Sequence, residues 1–290
     1  MFQTLSQSIF KGVSWKHPLI AAGLRVLNPI DYAVRVAGGR GHYPQMSIRV
    51  RSNGLRRQFN GKRFESLGAS LKRELQGRAG LTPQSQVLEI GCGCGRFAFA
   101  LADTLEQGGY TGVDIDKPSI EAANRNAFLS KKRFTFQHID VHNTEYNPGG
   151  TTPASQYRFD FPENSFDVVF LVSVFTHMLP DDVRNYIKEI GRILKPGGRV
   201  MLTTFIMDVG TTFGEAEFVY GSGPYRSSHK DMHEICVGYF AEFFDECFAQ
   251  SGLEPLGEPV YSTKERLIPN AETTDFDQDL VLAQKPAPAA

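Results

Sequence analysis

The sequence predicts an α/β fold with a doubly wound, mostly parallel sheet, and three observations predict it. An apolar run at 87–90 leads into glycines at alternate positions, and a helix-like apolar pattern follows over 97–102, as in a buried strand, a tight turn and a helix start. A second apolar run ends in the acids Asp114 and Asp116. From residue 86 onward, strand-like and helix-like segments alternate, which indicates parallel strands joined by right-handed crossovers.

The individual elements follow from apolar periodicity and from helix-start and helix-end residues. Strands are predicted at 86–91, 109–114, 133–139, 166–174 and 199–206, with helices at 95–107, 117–129 and 181–194. Pro118 suits the first turn of its helix. Outside this core, helices are predicted over 64–75 and 233–250, and strands over 256–263 and 279–284. Ligands of such sheets bind at the carboxyl ends of the strands, where the strand order reverses.

The composition limits the classes of function. The 290 residues are 41% apolar and carry a net charge of −1, so the chain has enough apolar residues for a full core but no global attraction to nucleic acid. Basic residues cluster over 49–73, where a solvated face is favoured over phosphate binding. Four cysteines do not form a disulfide framework in so long a chain, and reduced thiols in a cytoplasmic protein are expected. No apolar run reaches the length of a membrane span.

The order and spacing of the motifs resemble a known family. The pattern E-x-G-x-G-x-G over 89–95 is similar to motif I of the class I S-adenosylmethionine (SAM)-dependent methyltransferases, and Asp114 falls on the acidic ribose-binding position of that family. The resemblance continues through 134–140, 166–170 and 194–200, and the run at 173–178 is similar to a bacterial subgroup associated with small molecules and glycans. It implies a Rossmann-like sheet of seven strands with an antiparallel C-terminal strand, an N-terminal extension, and SAM as the cofactor.

The resemblance also implies which residues contact the cofactor. The glycines would form the floor for the methionine part, Glu89 would help to fix that loop near the amino group, Asp114 would hold the ribose hydroxyls, and Asp140 with Val141 would meet the adenine. The predicted cofactor-binding residues are Glu89, Gly91, Cys92, Gly93, Gly95, Asp114, Ile115, Asp140, Val141 and Ser173.

His177 is the catalytic candidate. It follows the fourth predicted strand, in the segment that borders the transferred methyl group in the family that the chain resembles. An alcohol acceptor must lose a proton, and histidine is the usual base near neutral pH. A positioning or cofactor-contacting role for His177 stays open. No Asn-Pro-Pro-Tyr or Asn-Pro-Pro-Phe tetrad follows the strand, which counts against amino methylation of adenine or glutamine by the best-known route.

The predicted organisation is an N-terminal extension or lid at 1–79 and a SAM-dependent methyltransferase domain at 80–290, with an insertion at 207–232 over the acceptor site. The insertion and the helix predicted after it supply candidate acceptor contacts: Tyr225, Arg226, His229 and His233. The two histidines have the spacing of metal ligands on a helix, but no third ligand is evident, so no metal site is predicted.

The predicted function is SAM-dependent transfer of a methyl group to an oxygen of a small polar metabolite or sugar. Three alternatives stay open: an N-methyltransferase of a small molecule, an enzyme that acts on protein or RNA and docks through the basic run at 49–73, and a SAM-binding protein without activity. The expected partner is a small-molecule acceptor, without nucleic acid and without a membrane span, and the sequence does not indicate an oligomeric state.

Overall fold

The computed structural model describes residues 17–55, 58–210, 212–213, 216–263, 271–274 and 276–287. Its α-helices are α1 (Pro18–Ala37), α2 (Met46–Asn53), α3 (Lys62–Gly77), α4 (Arg96–Leu101), α5 (Lys117–Asn124), α6 (Pro180–Ile193) and α7 (Ala241–Gln250). Its strands are β1 (Gln86–Ile90), β2 (Gly109–Asp114), β3 (Phe134–His138), β4 (Phe166–Leu171), β5 (Leu194–Thr204), β6 (Thr212–Phe213), β7 (Ala216–Glu217), β8 (Tyr225–Ser227), β9 (Val237–Tyr239), β10 (Glu254–Pro255), β11 (Tyr261–Ser262), β12 (Thr273–Thr274) and β13 (Asp279–Gln284).

Seven strands form the central sheet in the order β10-β13-β5-β4-β1-β2-β3. The strands β5, β4, β1, β2 and β3 pair in parallel, whereas β13 is antiparallel to β5 and to β10. The strand order reverses between β1 and β4, which are neighbours in the sheet although two strands separate them in sequence. The predicted α/β, Rossmann-like, doubly wound sheet with an antiparallel C-terminal strand is therefore confirmed.

Alternate residues of the central strands enter two separate apolar clusters, one on each face of the sheet. On one face Leu88 and Val169 pack with residues of α6 and α7. On the other face Val87 and Val168 pack with residues of α3, α4 and α5. Successive strand residues point to opposite faces, so near-continuous apolar runs are what a sheet covered on both faces requires. The core thus fixes the register that brings the strand ends together.

A buried ionic cluster joins α1, α2 and the short 3-10 turn Phe59–Gly61 that precedes α3. Both oxygens of Asp31 are engaged: Arg35 Nε lies 2.8 Å from Oδ2 and a terminal nitrogen of Arg49 lies 2.9 Å from Oδ1. The backbone amide of Asn60 also donates to Oδ1, at 2.9 Å. Burial acts to raise the pKa of Asp31, but the hydrogen bonds from Arg49 and Arg35 outweigh it, and the pKa is lowered. Removing one partner from such a cluster would leave an uncompensated buried charge.

The opposite face of α1 is apolar and exposed. Leu19, Val26, Ile30 and Val34 recur at helical spacing and are each at least 39% exposed, so this helix buries its polar face instead. None of the described helices is both long enough and apolar enough to cross a bilayer.

Four predicted elements differ in the structure. The helix predicted over 233–250 is α7 alone, because Val237–Tyr239 pairs with β8 as a strand and only a short 3-10 turn, His233–Ile235, precedes it. The strand predicted over 256–263 is reduced to β11, which pairs in parallel with β12 outside the main sheet. The sheet is instead completed by β10, which pairs antiparallel with β13 and ends at Pro255. The helices predicted over 95–107 and 117–129 end early, at Leu101 and Asn124.

Candidate active site

A cavity of about 1100 Å³ opens at the carboxyl ends of β1, β2 and β4. It lies where the strand order reverses, the position at which doubly wound sheets bind ligands. The turn after β1 and the end of β2 line one part, and the segment after β4 lines another. Helices α2 and α3 and the residues that precede β13 complete it.

The turn after β1 needs glycine at two positions for steric as well as conformational reasons. Gly91 and Gly93 have φ angles of 80° and 52°, which disfavour residues with a Cβ. A Cβ on Gly91 would lie 2.4 Å from Val174 Cγ2, and one on Gly93 would lie 2.3 Å from Ser52 Oγ. The turn is therefore packed against the segment after β4 on one side and against α2 on the other.

Asp114, at the end of β2, is held by backbone amides and lines the cavity. Its Oδ2 accepts a hydrogen bond from Gly93 N at 2.6 Å, and its Oδ1 accepts one from Asp116 N at 2.7 Å. Burial raises the pKa of Asp114 to about 6, against these amide hydrogen bonds, which lower it. A carboxylate oxygen accepts more than one hydrogen bond, so Asp114 retains acceptor capacity for two hydroxyls of a ligand. Its neighbour Ile115 also lines the cavity.

Asp116, two residues further on, connects the sheet to the N-terminal helices. It caps α5 by accepting the Ser119 amide, and it pairs with Arg51 of α2, whose Nε lies 2.8 Å from Oδ2 and whose second nitrogen contacts Oδ1. Arg51 lines the cavity, and so does Ser52, which contacts the glycine turn. No pattern in the sequence connects Arg51 with Asp116, because 64 residues separate them.

Glu89 of β1 is 1% exposed yet contributes to the cavity surface. Burial raises its pKa to about 8, although the Tyr110 hydroxyl, which donates to Glu89, lowers it. Cys92 lines the cavity next to it, whereas Gly93 and Gly95 contribute to the turn without lining the cavity.

The residues after β3 alternate between the cavity and the surface. Ile139 and Val141 line the cavity, whereas Asp140 does not. Asp140 is exposed, and its Oδ2 accepts a hydrogen bond from Thr151 Oγ1 at 2.6 Å. That bond lowers the pKa of Asp140. Of the two residues predicted to meet the adenine, the structure thus brings only Val141 to the cavity.

Ser173, after β4, has a left-handed backbone conformation with φ 57°, which costs free energy in a residue other than glycine. Thr203 Oγ1 accepts the Ser173 amide at 2.9 Å, and the Ser173 hydroxyl donates to Gln278 Oε1 at 2.9 Å. Thr203 donates to the same Gln278 oxygen. Ser173 and Gln278 line the cavity. Gln278 was not predicted, because no motif precedes β13 to indicate it.

His177 closes a 3-10 turn after β4 and lines the cavity. Its Nδ1 lies 3.2 Å from the Glu234 carbonyl and 3.8 Å from Glu145 Oε2, and the Tyr146 ring meets it edge-on at 5.2 Å. Burial lowers the pKa of His177, against the effects of Glu145 and the Glu234 carbonyl, which raise it. A carbonyl only accepts hydrogen bonds, so Nδ1 carries the hydrogen and Nε2 is the basic nitrogen of the neutral ring.

The four predicted acceptor contacts lie outside the cavity. Tyr225 and Arg226 belong to β8, whose antiparallel partner β9 replaces part of the predicted helix. The Tyr225 hydroxyl lies 2.8 Å from His233 Nδ1, and the Arg226 guanidinium lies 5.0 Å from the Phe240 ring centre. His229 does not line the cavity either. The insertion at 207–232 reaches the cavity through Phe213 and Ala216, which lie beside Phe205.

The two histidines with metal-ligand spacing do not lie on a helix, because His229 precedes the short 3-10 turn that contains His233. Over the described part of the chain, no three side chains of His, Cys, Asp or Glu come together in a way that could hold a metal ion. The cysteines in that part are free.

Comparison with known protein families identifies the region that builds this cavity. Residues 88–200 match the family described as "Methyltransferase domain", a range that begins within β1 and ends within β5. This part of the chain is therefore similar to methyltransferase domains. The match agrees with the methyltransferase class and with the SAM cofactor that the sequence predicts.

Two curated relatives carry the same kind of domain. The chain is 28% identical over 144 residues to "tRNA N(3)-cytidine methyltransferase METTL2" of Gallus gallus, a match that covers 47% of this chain and 34% of that protein. It is 30% identical over 146 residues to "27-O-demethylrifamycin SV methyltransferase" of Amycolatopsis mediterranei (strain S699), covering 50% and 47%. The chain thus spans between a third and a half of the length of these relatives.

A solved structure agrees in fold. "Crystal structure of a S-adenosylmethionine-dependent methyltransferase from Clostridium acetobutylicum ATCC 824" superposes with a TM-score of 0.51 at 13% identity, covering 77% of this chain and 92% of that one. The chain therefore has the fold that the sequence predicts.

Proposed function

We propose that the chain transfers a methyl group from SAM to an oxygen of a small polar molecule, a metabolite or a sugar. The observation that carries this proposal is that Asp114, the glycine turn and His177 line one cavity of about 1100 Å³. Sites for one ligand are usually about 300–1,000 Å³, so this space suits a cofactor together with a small acceptor.

The residues at the ends of β1 and β2 fit the cofactor. The turn brings Gly91, which has no side chain, to the cavity surface, and the Asp114 carboxylate has capacity to accept the two ribose hydroxyls. Val141 and Ile115 offer apolar surface for the adenine. When bound, SAM supplies an electrophilic methyl group on a positively charged sulfur. The contribution of the chain is to align the acceptor with that group.

His177 is placed to take the proton of an acceptor hydroxyl. Its lowered pKa keeps the ring neutral at physiological pH, and its Nδ1–H···O=C bond to Glu234 leaves Nε2 as the basic atom. The acceptor hydroxyl would release its proton to Nε2 while its oxygen takes the methyl group, and the electron pair of the broken carbon–sulfur bond would stay on the cofactor sulfur. The Glu145 carboxylate, 3.8 Å from Nδ1, would stabilise the resulting imidazolium.

The walls of the cavity favour a small acceptor over RNA or protein. Beyond Ser173 the lining is aromatic, with Phe205, Phe213 and Phe276. The basic run at 49–73 was the only sequence feature in favour of a macromolecular acceptor, and three of its cations are engaged within the chain. Arg49 is buried against Asp31, Arg51 pairs with Asp116, and Arg63 pairs with Asp277. The expected solvated face is wrong for Arg49, which is fully buried.

A tRNA acceptor is the second candidate, because one relative is named as a tRNA methyltransferase. The two candidate acceptors, a small molecule and tRNA, are distinguished by incubating the chain with methyl-labelled SAM. The incubation contains either a small-molecule extract or purified total RNA and protein. We expect label in the small-molecule fraction, and none there with the His177→Ala variant. Label in RNA would instead support the second candidate. Cofactor binding without label in any fraction would support a SAM-binding protein without activity.

A further inference from the structure

Arg96, the first residue of α4, lines the cavity beside the glycine turn. Its guanidinium carbon lies 4.4 Å from the centre of the Phe97 ring. Its Nε is shielded from solvent and has no hydrogen-bond partner among the residues that the structure describes. A guanidinium offers five N–H donors in a planar fork, so this group is oriented without being satisfied.

The nearby acids do not neutralise Arg96. Burial lowers its pKa to about 10, so it remains charged at neutral pH. Glu89 acts on it electrostatically and raises that pKa, but the structure shows no ion pair between these two residues. Asp277, the other acid that acts on it, pairs with Arg63 at 2.6 Å. A cation held in a ligand cavity without an ion-pair partner calls for an anion from the ligand, because buried charges are otherwise paired.

We propose that Arg96 binds a carboxylate of a bound ligand. The proposal rests on the function proposed above, and it names two sources of the same chemistry: the amino-acid carboxylate of the cofactor, or the carboxylate of an acidic acceptor. The planar fork of arginine matches a carboxylate in two-point geometry, which lysine does not reproduce.

The cofactor source is tested with two nucleosides. S-adenosylhomocysteine contains the amino-acid part, whereas 5′-methylthioadenosine lacks it and keeps the adenine, the ribose and the sulfur. Calorimetry would compare the full chain with its Arg96→Gln and Arg96→Lys variants. If the cofactor is the source, Arg96→Gln lowers the affinity for S-adenosylhomocysteine by about ten- to one-hundred-fold. The affinity for 5′-methylthioadenosine stays within twofold of that of the parent chain. Arg96→Lys recovers part of the lost affinity. Arg125→Gln is the matched control, because that arginine is 77% exposed.

The acceptor source is tested with the cofactor site saturated by S-adenosylhomocysteine. Benzoate, succinate and glucuronate would be titrated by thermal shift. If an acidic acceptor is the source, at least one of them stabilises the parent chain, and Arg96→Gln abolishes that stabilisation while the affinity for both nucleosides is unchanged.

Arg96→Gln with unchanged responses in both experiments overturns the proposal. That result differs from failure of the proposed function, in which the parent chain itself binds neither nucleoside.

Discussion

The two ends of the cavity differ in how the chain builds them. The proposed cofactor end is made mainly from two short segments, the turn over 89–95 and the end of β2, with Val141 after β3, and backbone hydrogen bonds hold Asp114 in place there. The acceptor end is made from side chains of three distant segments, among them Phe205, Phe213 and Gln278. The first end depends on local backbone conformation, and the second depends on how loops of different lengths meet.

This difference explains why one end carries a family signature and the other does not. A site built from backbone conformation requires glycine and an acid at a fixed spacing, and this requirement does not depend on the acceptor. A side-chain site has no such spacing, because each contributing loop follows a different strand. Substitutions at the two ends should therefore have separable effects, on cofactor affinity at one end and on turnover at the other.

The largest expected effect is on turnover, from His177→Ala. Loss of a general base typically slows catalysis by about 10²- to 10⁴-fold, and we expect this in kcat for an oxygen acceptor, with S-adenosylhomocysteine affinity within twofold of the parent. His233→Ala is the control, because that histidine bonds to Tyr225 outside the cavity. Turnover that survives His177→Ala at every pH would end the assignment of His177 as the base.

The next largest effect is on cofactor affinity, from Asp114→Asn. Asp114→Asn removes the charge that accepts the two ribose hydroxyls, so the affinity for S-adenosylhomocysteine should fall by about one-hundred-fold. Each hydrogen bond to a charged group contributes about 1.5–3 kcal/mol. Asp140→Asn serves as the comparison, because Asp140 is exposed and lies outside the cavity. Calorimetry should show little change for it. An equal loss in both variants would restore Asp140 as an adenine contact.

The pH dependence of cofactor binding gives a smaller effect at the same end. Burial raises the pKa of Asp114 to about 6, and the ionised form is the better acceptor of hydroxyl hydrogens. Affinity should therefore be constant well above pH 6 and fall below it, by about tenfold between pH 7 and pH 5. Titrations across this range with Asp114→Asn should lose that dependence. A fall that persists in the variant would assign it to another group.

The smallest expected effect comes from Arg51→Ala, which tests whether the predicted N-terminal extension is coupled to the cofactor end. The bidentate pair with Asp116 is partly buried, with side chains 23% and 11% exposed, so its loss should cost about 1–2 kcal/mol of stability. Cofactor affinity should fall several-fold as α2 loosens from the glycine turn. Arg125→Ala removes an exposed pair with Glu121 and should change neither property. An unchanged affinity for Arg51→Ala would leave the extension as a structural cap.

The sequence was sufficient where function depends on strand ends. Gly91 and Asp114 were placed at the cavity because apolar runs define parallel strands, and parallel strands end at a common edge. Asp140 was predicted to line the cavity, but its neighbours Ile139 and Val141 line it instead. Side chains alternate in direction after a strand, and a motif does not show which of two neighbours points inward. The predictions put Tyr225 in an insertion over the acceptor and His233 at the start of a long helix, whereas the structure has Tyr225 in the β8–β9 pair and both residues outside the cavity. Arg51 and Gln278 had no local signal, because their roles depend on partners far away in sequence.

The carboxylate of Asp31 has a consequence for how this chain tolerates recombination. It receives Arg35 from its own helix, Arg49 from the next helix and the amide of Asn60 from the loop after that. A chimaera that takes only one of these segments from another protein would leave a buried charge without its ion-pair or hydrogen-bond partner. Residues 17–77 should therefore be exchangeable between homologues only as a single cassette, and Arg51 and Arg63 would be carried along with it.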